Sequence, residues 1–138
     1  MEGAASAHKS AVRKETRVVH AKQELPIVLQ APGVTIRSTN WNGMAALYVH
    51  MDAGADFTPV LKGLPGDLCS CPHWGYVLKG GLRLKYKDGH EEVARPGDLW
   101  YTPPGHTAMC DEETEFVEFS PEQEAGNLLE HVRKQILR

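Results

Sequence analysis

The hydrophobic pattern of the chain from Pro26 onward consists of short runs of aliphatic and aromatic residues that are separated by Gly, Pro, Asn and Asp. Turn signals at this frequency, with no long helical period between the runs, are typical of an all-β sandwich or barrel. The runs that we interpret as strand-like are PIVLQ, GVTIRSTNW, MAALYVHM, FTPVLK, HWGYVLKG, LRLKYK, EEVARP, DLWYTP and TEFVEFS.

The run LRLKYK at residues 82–87 predicts the clearest β-hairpin. Apolar and charged side chains alternate along it, so one face is buried and the other lies in water. The pair Asp88-Gly89 follows directly and supplies the positive φ angles of a tight turn, which returns the chain through HEEVARP.

The C-terminal end of the chain carries a helical pattern. Ser120 followed by Pro121, Glu122 and Gln123 predicts a capping box with proline at the first helical position. We expect the helix to pack its apolar stripe on the outside of the β-structure, although the same stripe could serve a subunit interface. The stripe consists of Ala125, Leu128, Leu129, Val132 and Ile136.

Composition is ordinary for a globular protein and excludes several classes of partner. The length of 138 residues fits one domain that buries a core without a disulfide framework. Apolar runs fall far short of the roughly 20 residues that span a bilayer. The net charge of -3, with Lys and Arg scattered, gives no electrostatic footprint for DNA or RNA. We therefore expect a cytoplasmic protein with neither a membrane nor a nucleic acid as its partner.

The chain divides into three segments. Residues 1–20 are small, basic and polar without the apolar core of a secretory signal, so we expect a flexible arm. Residues 21–120 then form the barrel, and residues 121–138 form the helix packed on it. Of the three cysteines, Cys69 and Cys71 are too close to bridge comfortably, so we expect reduced thiols that are available as ligands.

The loop GLPGDLCSCP at residues 63–72, just ahead of HWGYVLKG, is the candidate site loop. Residues two apart in an extended strand face the same way, so Cys69, Cys71 and His73 would converge if the backbone there is extended. Cysteine and histidine sets of this kind bind transition metals. The alternative is that the thiols are simply buried and that Pro72 bends the strand and separates them from His73.

A further pattern runs from residue 76 to residue 106. An aliphatic strand ends in glycine at residues 76–80, and Gly97-Asp98, the run LWYT and Pro103-Pro104-Gly105 follow. In this order and spacing these segments resemble the motifs of the cupin superfamily. The resemblance covers about residues 57–119 and implies a small single-domain cupin, an antiparallel β-barrel of the jelly-roll type.

The resemblance also implies where metal ligands are expected. Cupins typically carry His-x-His, then Glu or Gln, and a final His after Pro-x-Gly. Here His73 occupies the Glu position, the His-x-His pair would fall at Asp67 and Cys69 or one residue earlier, and the final His would fall at Ala108. His106 shares a strand face with Ala108 and could replace the missing histidine. The candidate ligands of a divalent metal, Zn, Fe, Ni or Mn, are therefore Cys69, Cys71, His73 and His106.

Other polar side chains could line the same cavity. Tyr48 and His50 alternate in MAALYVHM. Glu118 alternates with Phe116 in TEFVEFS, and burial of an unpaired carboxylate is costly, so Glu118 either faces solvent, which we expect, or belongs to the site as a paired or coordinated group. Imidazole has a pKa near neutrality in water, which suits a general acid or base, so His73 is the candidate catalytic residue.

These features favour a metal-assisted enzyme, of the dioxygenase or isomerase type that the resemblance suggests, acting on a small organic ligand in the barrel mouth. The alternative is a metal-free cupin that binds or senses a small molecule through hydrogen bonds to the two histidines. We also expect a homodimer, because an open barrel leaves strand edges that need covering and cupins often pair in this way.

Overall fold

A computed structural model describes residues 18–137 of the chain. Within these residues the chain forms nine β-strands and a C-terminal helix, α1, which spans Glu122–Ile136. Short 3-10 turns lie at Lys22–Glu24, Thr58–Leu61 and Pro65–Asp67. The strands are β1 (Ile27–Ala31), β2 (Val34–Trp41), β3 (Met44–Met51), β4 (His73–Lys79), β5 (Leu82–Tyr86), β6 (Glu91–Ala94), β7 (Leu99–Thr102), β8 (His106–Met109) and β9 (Thr114–Pro121).

The strands form two antiparallel sheets that enclose the core. The larger sheet has the strand order β1-β2-β3-β9-β4-β7, and the smaller one has the order β6-β5-β8. The buried apolar residues belong to both sheets and to the helix, so one core joins the layers. The prediction of a jelly-roll barrel with a C-terminal helix is confirmed. No helix within residues 18–137 is long and apolar enough to cross a membrane.

The hairpin at residues 82–94 is present, but of the pair Asp88-Gly89 only Gly89 has the predicted positive φ, and one other predicted strand is absent from the sheets. Leu82 and Leu84 are buried, and Gly89 adopts a φ of 89° in the turn between β5 and β6. In contrast, the run FTPVLK is a 3-10 turn, and its interpretation as a strand was wrong. Pro59 lacks the N–H group that a sheet ladder requires, and its fixed φ suits the first turn of a helix.

The helix α1 carries the predicted stripe but begins differently. Ala125 and Val132 are buried, and Leu128, Leu129 and Ile136 pack against the core. The predicted capping box is wrong, because α1 begins at Glu122 without a side-chain cap and Ser120 lies in β9. The hydroxyl of Ser120 is engaged inside the barrel instead, as described below.

The predicted flexible arm lies outside the described residues except for residues 18–20. The first described residues cross the outer face of the larger sheet. The His20 ring stacks on Trp41 with centroids 5.9 Å apart, and Lys22 Nζ lies 2.6 Å from Glu115 Oε2. This segment therefore covers the outer face over β2, β3 and β9 and leaves β4 and β7 uncovered there.

Candidate metal centre

The strands β4 and β9 are neighbours and together position His73. Alternation along β9 turns Phe116, Glu118 and Ser120 inward, and His73 begins β4 on the same inner face. His73 Nδ1 lies 2.6 Å from Ser120 Oγ and 3.4 Å from Glu118 Oε2. Both partners engage the same ring nitrogen, so the other nitrogen, Nε2, is the one directed at the rest of the cluster.

His106 is the first residue of β8 and follows the PPG turn directly. Gly105 adopts a φ of 98°, a conformation that favours glycine, and this turn sets the entry of the chain into β8. His106 Nδ1 lies 2.7 Å from the carbonyl oxygen of Pro103. A carbonyl can only accept a hydrogen bond, so Nδ1 carries the proton and Nε2 keeps a free lone pair.

The loop at residues 63–72 brings Cys69 to the two histidines. The backbone N–H of Cys69 donates to the carbonyl of His106 at 2.7 Å, and Gly105 N–H donates to the carbonyl of Cys69 at 2.8 Å. This isolated bridge fixes Cys69 beside β8. Cys69 Sγ lies 3.5 Å from His73 Nε2, and one ligand atom from each of Cys69, His73 and His106 lies within 4.8 Å of the other two.

Cys71 lies outside this cluster. Its Sγ contacts the carbonyl oxygen of Pro72 at 3.6 Å, and it lines a separate pocket together with Ser70, Glu124 and Asn127. The alternation from Cys69 to His73 fails because β4 begins only at His73, after Pro72, and the preceding residues are not regular strand. Of the two cysteines in the site loop, the structure brings Cys69 to the histidines.

Burial determines the protonation of the cluster in the absence of a metal. The pKa of His73 is lowered to about 3, mainly by burial and to a smaller extent by the neighbouring His106. Burial also lowers the pKa of His106, against the opposing effect of its bond to Pro103. The pKa of the Cys69 thiol is raised to about 12, again mainly by burial. Both imidazoles are therefore neutral at physiological pH and have a lone pair to offer, and the expectation of a near-neutral pKa at His73 was wrong.

Glu118 belongs to the interior, and the expectation that it faces solvent was wrong. Only 9% of the residue is exposed. Burial raises the pKa of its carboxyl to about 8. Contact with the His73 ring provides the partner that makes burial of this group tolerable. Tyr48 and His50, in contrast, face away from the interior; His50 Nε2 lies 2.7 Å from the exposed Glu113.

The cluster opens onto a cavity inside the barrel. Its space for the centres of water molecules is about 70 Å³. Both sheets and the helix α1 contribute to a wall that is mostly apolar. Trp100 lies beside the cluster, with its ring edge-on to His73 at a centroid separation of 6.5 Å. The apolar lining residues are Leu29, Ile36, Leu47, Val49, Phe57, Leu61, Leu82, Leu84, Trp100, Ala108, Phe116, Ala125, Leu128, Leu129 and Val132.

The sequence prediction therefore missed Ser120 as a residue of the site, and for Glu118 it favoured the solvent-facing alternative over the site. The alternation of TEFVEFS places both on the face of Phe116, which is an inward residue, and this parity was the available signal. The signal was outweighed by the general cost of burying a carboxylate and by the similarity of Ser120-Pro121-Glu122 to a helix start.

The fold resembles several solved structures. An RmlC-like cupin from Shewanella frigidimarina matches with a TM-score of 0.57 at 17% identity, over 77% of this chain and 91% of that chain. KdgF from Halomonas sp. matches with a TM-score of 0.57 at 23% identity, over 77% and 94% of the two chains. The polyketide cyclase RemF from Streptomyces resistomycificus matches with a TM-score of 0.58 at 18% identity, over 77% and 79%.

These similarities identify the fold. The chain has the cupin fold over most of its length, as the motifs at residues 76–106 predicted. Neither protein-family models nor curated proteins match the sequence. The function must therefore be argued from the residues of the site, because a shared fold does not determine chemistry.

Proposed function

We propose that Cys69, His73 and His106 hold one divalent transition metal ion and that the barrel uses it for metal-assisted enzyme chemistry on a small organic molecule. The observation that carries this proposal is the fixed orientation of the imidazoles. The Nδ1 atom of each ring is engaged, by Pro103 in one case and by Ser120 and Glu118 in the other. Histidines that bind metals typically use their other ring nitrogen in this way, to set tautomer and orientation.

The donor set supports a metal of intermediate softness. One thiolate and two imidazoles suit Zn, Fe or Ni better than Mn, which prefers oxygen ligands. Three protein ligands also leave a position for a substrate or water molecule, as is typical of catalytic sites. When bound, such an ion supplies Lewis acidity to a polar group of the substrate.

The side chains around the cluster have separable tasks. Ser120 and Glu118 orient His73, and the Pro103 carbonyl orients His106. The apolar wall excludes bulk water from the polar end of the substrate, which strengthens electrostatic interactions there. We interpret His73 as a ligand and not as a general acid, because burial lowers its pKa to about 3 and the imidazolium form that would act as the acid is absent at physiological pH.

The second candidate function is a metal-free cupin that binds or senses a small molecule. The contact between Cys69 Sγ and His73 Nε2 at 3.5 Å favours it, because a neutral thiol can donate a weak hydrogen bond to the imidazole without any ion. In this case the cavity and its apolar wall would supply the affinity for the ligand.

Metal analysis separates the two functions. Protein purified without a metal-affinity tag is stripped with a chelator, reloaded with Zn²⁺, Fe²⁺, Ni²⁺ or Mn²⁺, and analysed for bound metal. We expect one ion per chain in the wild type and in Cys71→Ser, and most of the metal to be lost in Cys69→Ser, His73→Ala and His106→Ala with the barrel still folded. No stoichiometric metal in the wild type, or equal loss in Cys71→Ser and Cys69→Ser, would refute the proposed site.

We further propose that the protein forms a homodimer through an aromatic patch on the outer face of the larger sheet. The patch consists of Trp74, Tyr76, Leu99, Tyr101 and Phe119, all of them exposed. It contains no charged side chain, so two copies would meet without like-charge repulsion, and it extends to β7, the edge strand of the sheet. Sedimentation velocity tests this, and a monomeric mass would contradict it.

A further inference from the structure

We infer that the indole N–H of Trp100 is a hydrogen-bond donor for the ligand of the cavity, and that this donor selects compact carboxylic acids, bound as carboxylates. The inference deepens the proposed function and rests on it in one respect, because one carboxylate oxygen is expected to reach the metal held by Cys69, His73 and His106. The position of the indole N–H and its lack of a partner do not depend on the metal.

The indole N–H of Trp100 is a buried donor in the wall of the cavity. Within residues 18–137 this group has no hydrogen-bond partner. Glu118 and Thr107, which line the same cavity, differ in this respect, because Glu118 contacts His73 and the hydroxyl of Thr107 lies 2.9 Å from that of Thr58. A buried donor without a partner is costly, so a ligand that brings an acceptor to Trp100 gains binding free energy.

Packing holds the indole ring beside the metal cluster. Trp100 in β7 pairs with Gly75 in β4, and its ring lies over that glycine. The ring carbon Cε2, which is bonded to Nε1, would lie 2.3 Å from a Cβ atom at Gly75. The ring also meets Phe116 edge-on, with centroids 5.7 Å apart. The N–H edge of the indole is therefore held against the inner face of β4, two residues along the strand from His73.

One carboxylate can engage both the metal and the indole. The ring centres of Trp100 and His73 are 6.5 Å apart. A metal–oxygen bond of about 2 Å and an N–H···O hydrogen bond of about 2.9 Å, made by the two oxygens of one carboxylate, cross a gap of roughly this size. The metal takes a lone pair and the indole N–H can only donate, so both need an acceptor. A primary amide offers one oxygen and an NH₂ group, which would leave one of the two without an acceptor.

The rest of the cavity suits a compact apolar body and leaves the head group free of Glu118. Glu118 Oε2 contacts His73 Nδ1, whereas His73 Nε2 is the nitrogen near Cys69 Sγ, so Glu118 lies outside the ligand cluster. The wall is mostly apolar. A cavity of about 70 Å³ for the centres of water molecules holds roughly five to seven waters, since each needs about 10–15 Å³ on this measure. Short-chain aliphatic acids fit this space.

Nuclear magnetic resonance of the wild type tests the contact directly. The chain has three tryptophans, so ¹⁵N-labelled protein gives three indole N–H signals, which Trp41→Phe, Trp74→Phe and Trp100→Phe assign. Propanoate and propanamide, which have equal numbers of heavy atoms, are titrated into zinc-loaded and metal-free protein of measured metal content. We expect propanoate to move the Trp100 signal downfield, because a charge-assisted hydrogen bond deshields the proton, and to leave the other two signals in place.

Removal of the donor and two matched controls sharpen the test. Zinc-loaded Trp100→Phe should bind propanoate roughly 10- to 100-fold more weakly than the wild type, since a hydrogen bond to a charged group is lost. Its preference for propanoate over propanamide should fall by a similar factor, and because both proteins carry the same metal, the charge of propanoate does not account for that change. Trp74→Phe makes the same substitution on the exposed outer face. Thr102→Val removes a hydroxyl that is also buried and unpaired within residues 18–137 but does not line the cavity. Both controls should bind propanoate as the wild type does.

The outcomes separate this inference from the proposed metal. Bound zinc together with a Trp100 signal that propanoate does not move overturns the inference and leaves the metal site intact, and this result is available even where Trp100→Phe fails to fold. Absence of zinc together with a downfield shift of the Trp100 signal in metal-free protein refutes the metal and supports the donor. Equal or tighter binding of propanamide to the zinc-loaded wild type, or no binding of propanoate in either form, also overturns the inference.

Discussion

The two faces of the larger sheet have opposite and unusual chemistry where β4 and β9 lie side by side. The inner face there carries the polar groups His73, Glu118 and Ser120, all buried. The outer face carries Trp74 and Phe119, which are 46% and 42% exposed. A half-buried antiparallel sheet ordinarily places apolar side chains inside and polar ones outside. At this end of the sheet the order is inverted.

The metal site and the dimer proposed above would each account for one side of this inversion. Buried polar groups are costly unless they are satisfied, and the inner ones contact each other beside the cluster of Cys69, His73 and His106. Clustered aromatic residues on a surface mark interaction sites, and the aromatic patch is such a cluster. Farther along the same strands the ordinary pattern returns, with Val77 and Phe116 buried inside.

The largest effect is expected for Gly75 on the inner face of β4. A Cβ atom at this position would overlap with the indole of Trp100, which occupies the space beside His73. We expect Gly75→Ala to destabilise the protein by about 3 kcal/mol, because overpacking a filled interior forces neighbouring groups to move. Urea denaturation measures this change.

Two variants serve as controls for Gly75. The double variant Gly75→Ala/Trp100→Leu should recover part of the lost stability, because the smaller side chain makes room for the new methyl group. On the outer face, Trp74→Ala should destabilise the monomer less than Gly75→Ala does, because the Trp74 side chain is already half in water. If Gly75→Ala is as stable as the wild type, Trp100 does not fill this space.

The second largest effect is expected for charged substitutions in the aromatic patch on the outer face, which should weaken the proposed dimer. Tyr101→Glu and Trp74→Glu would place a charge in the centre of the aromatic patch, and in a symmetric dimer the two charges would repel each other. We expect the dimer dissociation constant to rise by at least about 30-fold, since loss of a central aromatic residue typically costs 2 kcal/mol or more. Metal content should not change. Lys85→Glu, on the smaller sheet, is the control; an equal effect there would place the interface elsewhere.

A comparison of adjacent residues in β9 tests the inner face. Ser120→Ala removes the hydroxyl that contacts His73 Nδ1, and we expect metal affinity to fall about 10- to 100-fold, as is typical for outer hydrogen-bond partners of a ligand. Phe119→Ala, one residue away and facing outward, should leave metal affinity unchanged. Competition titration with a chromophoric chelator measures both. Equal affinities in the two variants would show that Ser120 does not support the site.

The sequence predicted the fold well because the barrel is encoded locally. The alternation in LRLKYK, the turn at Gly89 and the motif spacing around Gly105 each act over a few residues, and all agree with the structure. The run FTPVLK was misinterpreted because apolar content alone does not distinguish a strand from a short turn that contains proline.

The site was less predictable because it depends on contacts between distant segments. Cys69 and His106 are joined by the bridge between the loop and β8, and His73 meets Ser120 only through the pairing of β4 with β9. Ser120 also precedes a helix, and its local context predicted a cap. The sequence could not show that a hydrogen bond to a buried imidazole would take the hydroxyl instead.

The smallest effect expected is a pH dependence of stability in the metal-free protein, produced by the inner face alone. The pKa of Glu118 is raised from 4.5 to about 8 in the folded state, so its contribution is present below pH 4.5 and is lost as the pH rises to 8. The pKa of His73 is lowered from 6.5 to about 3, so its contribution is present above pH 6.5 and is lost as the pH falls to 3.

Between pH 4.5 and 6.5 the contributions of Glu118 and His73 have opposite slopes and largely cancel, and His106, whose pKa burial also lowers, adds a loss of stability as the pH falls. Only Glu118 acts from pH 6.5 to 8, where we expect the free energy of unfolding to fall by roughly 1–2 kcal/mol, since one unit of pKa difference corresponds to about 1.4 kcal/mol. Thermal unfolding of metal-free wild type and Glu118→Gln at several pH values measures this. Glu118→Gln cannot ionise, so its curve should be flat over that window, whereas Glu115→Gln, a half-buried position on the outer face of the same strand, should keep the wild-type slope. A wild-type curve that is equally flat would mean that the Glu118 carboxyl ionises as readily in the folded barrel as in the unfolded chain.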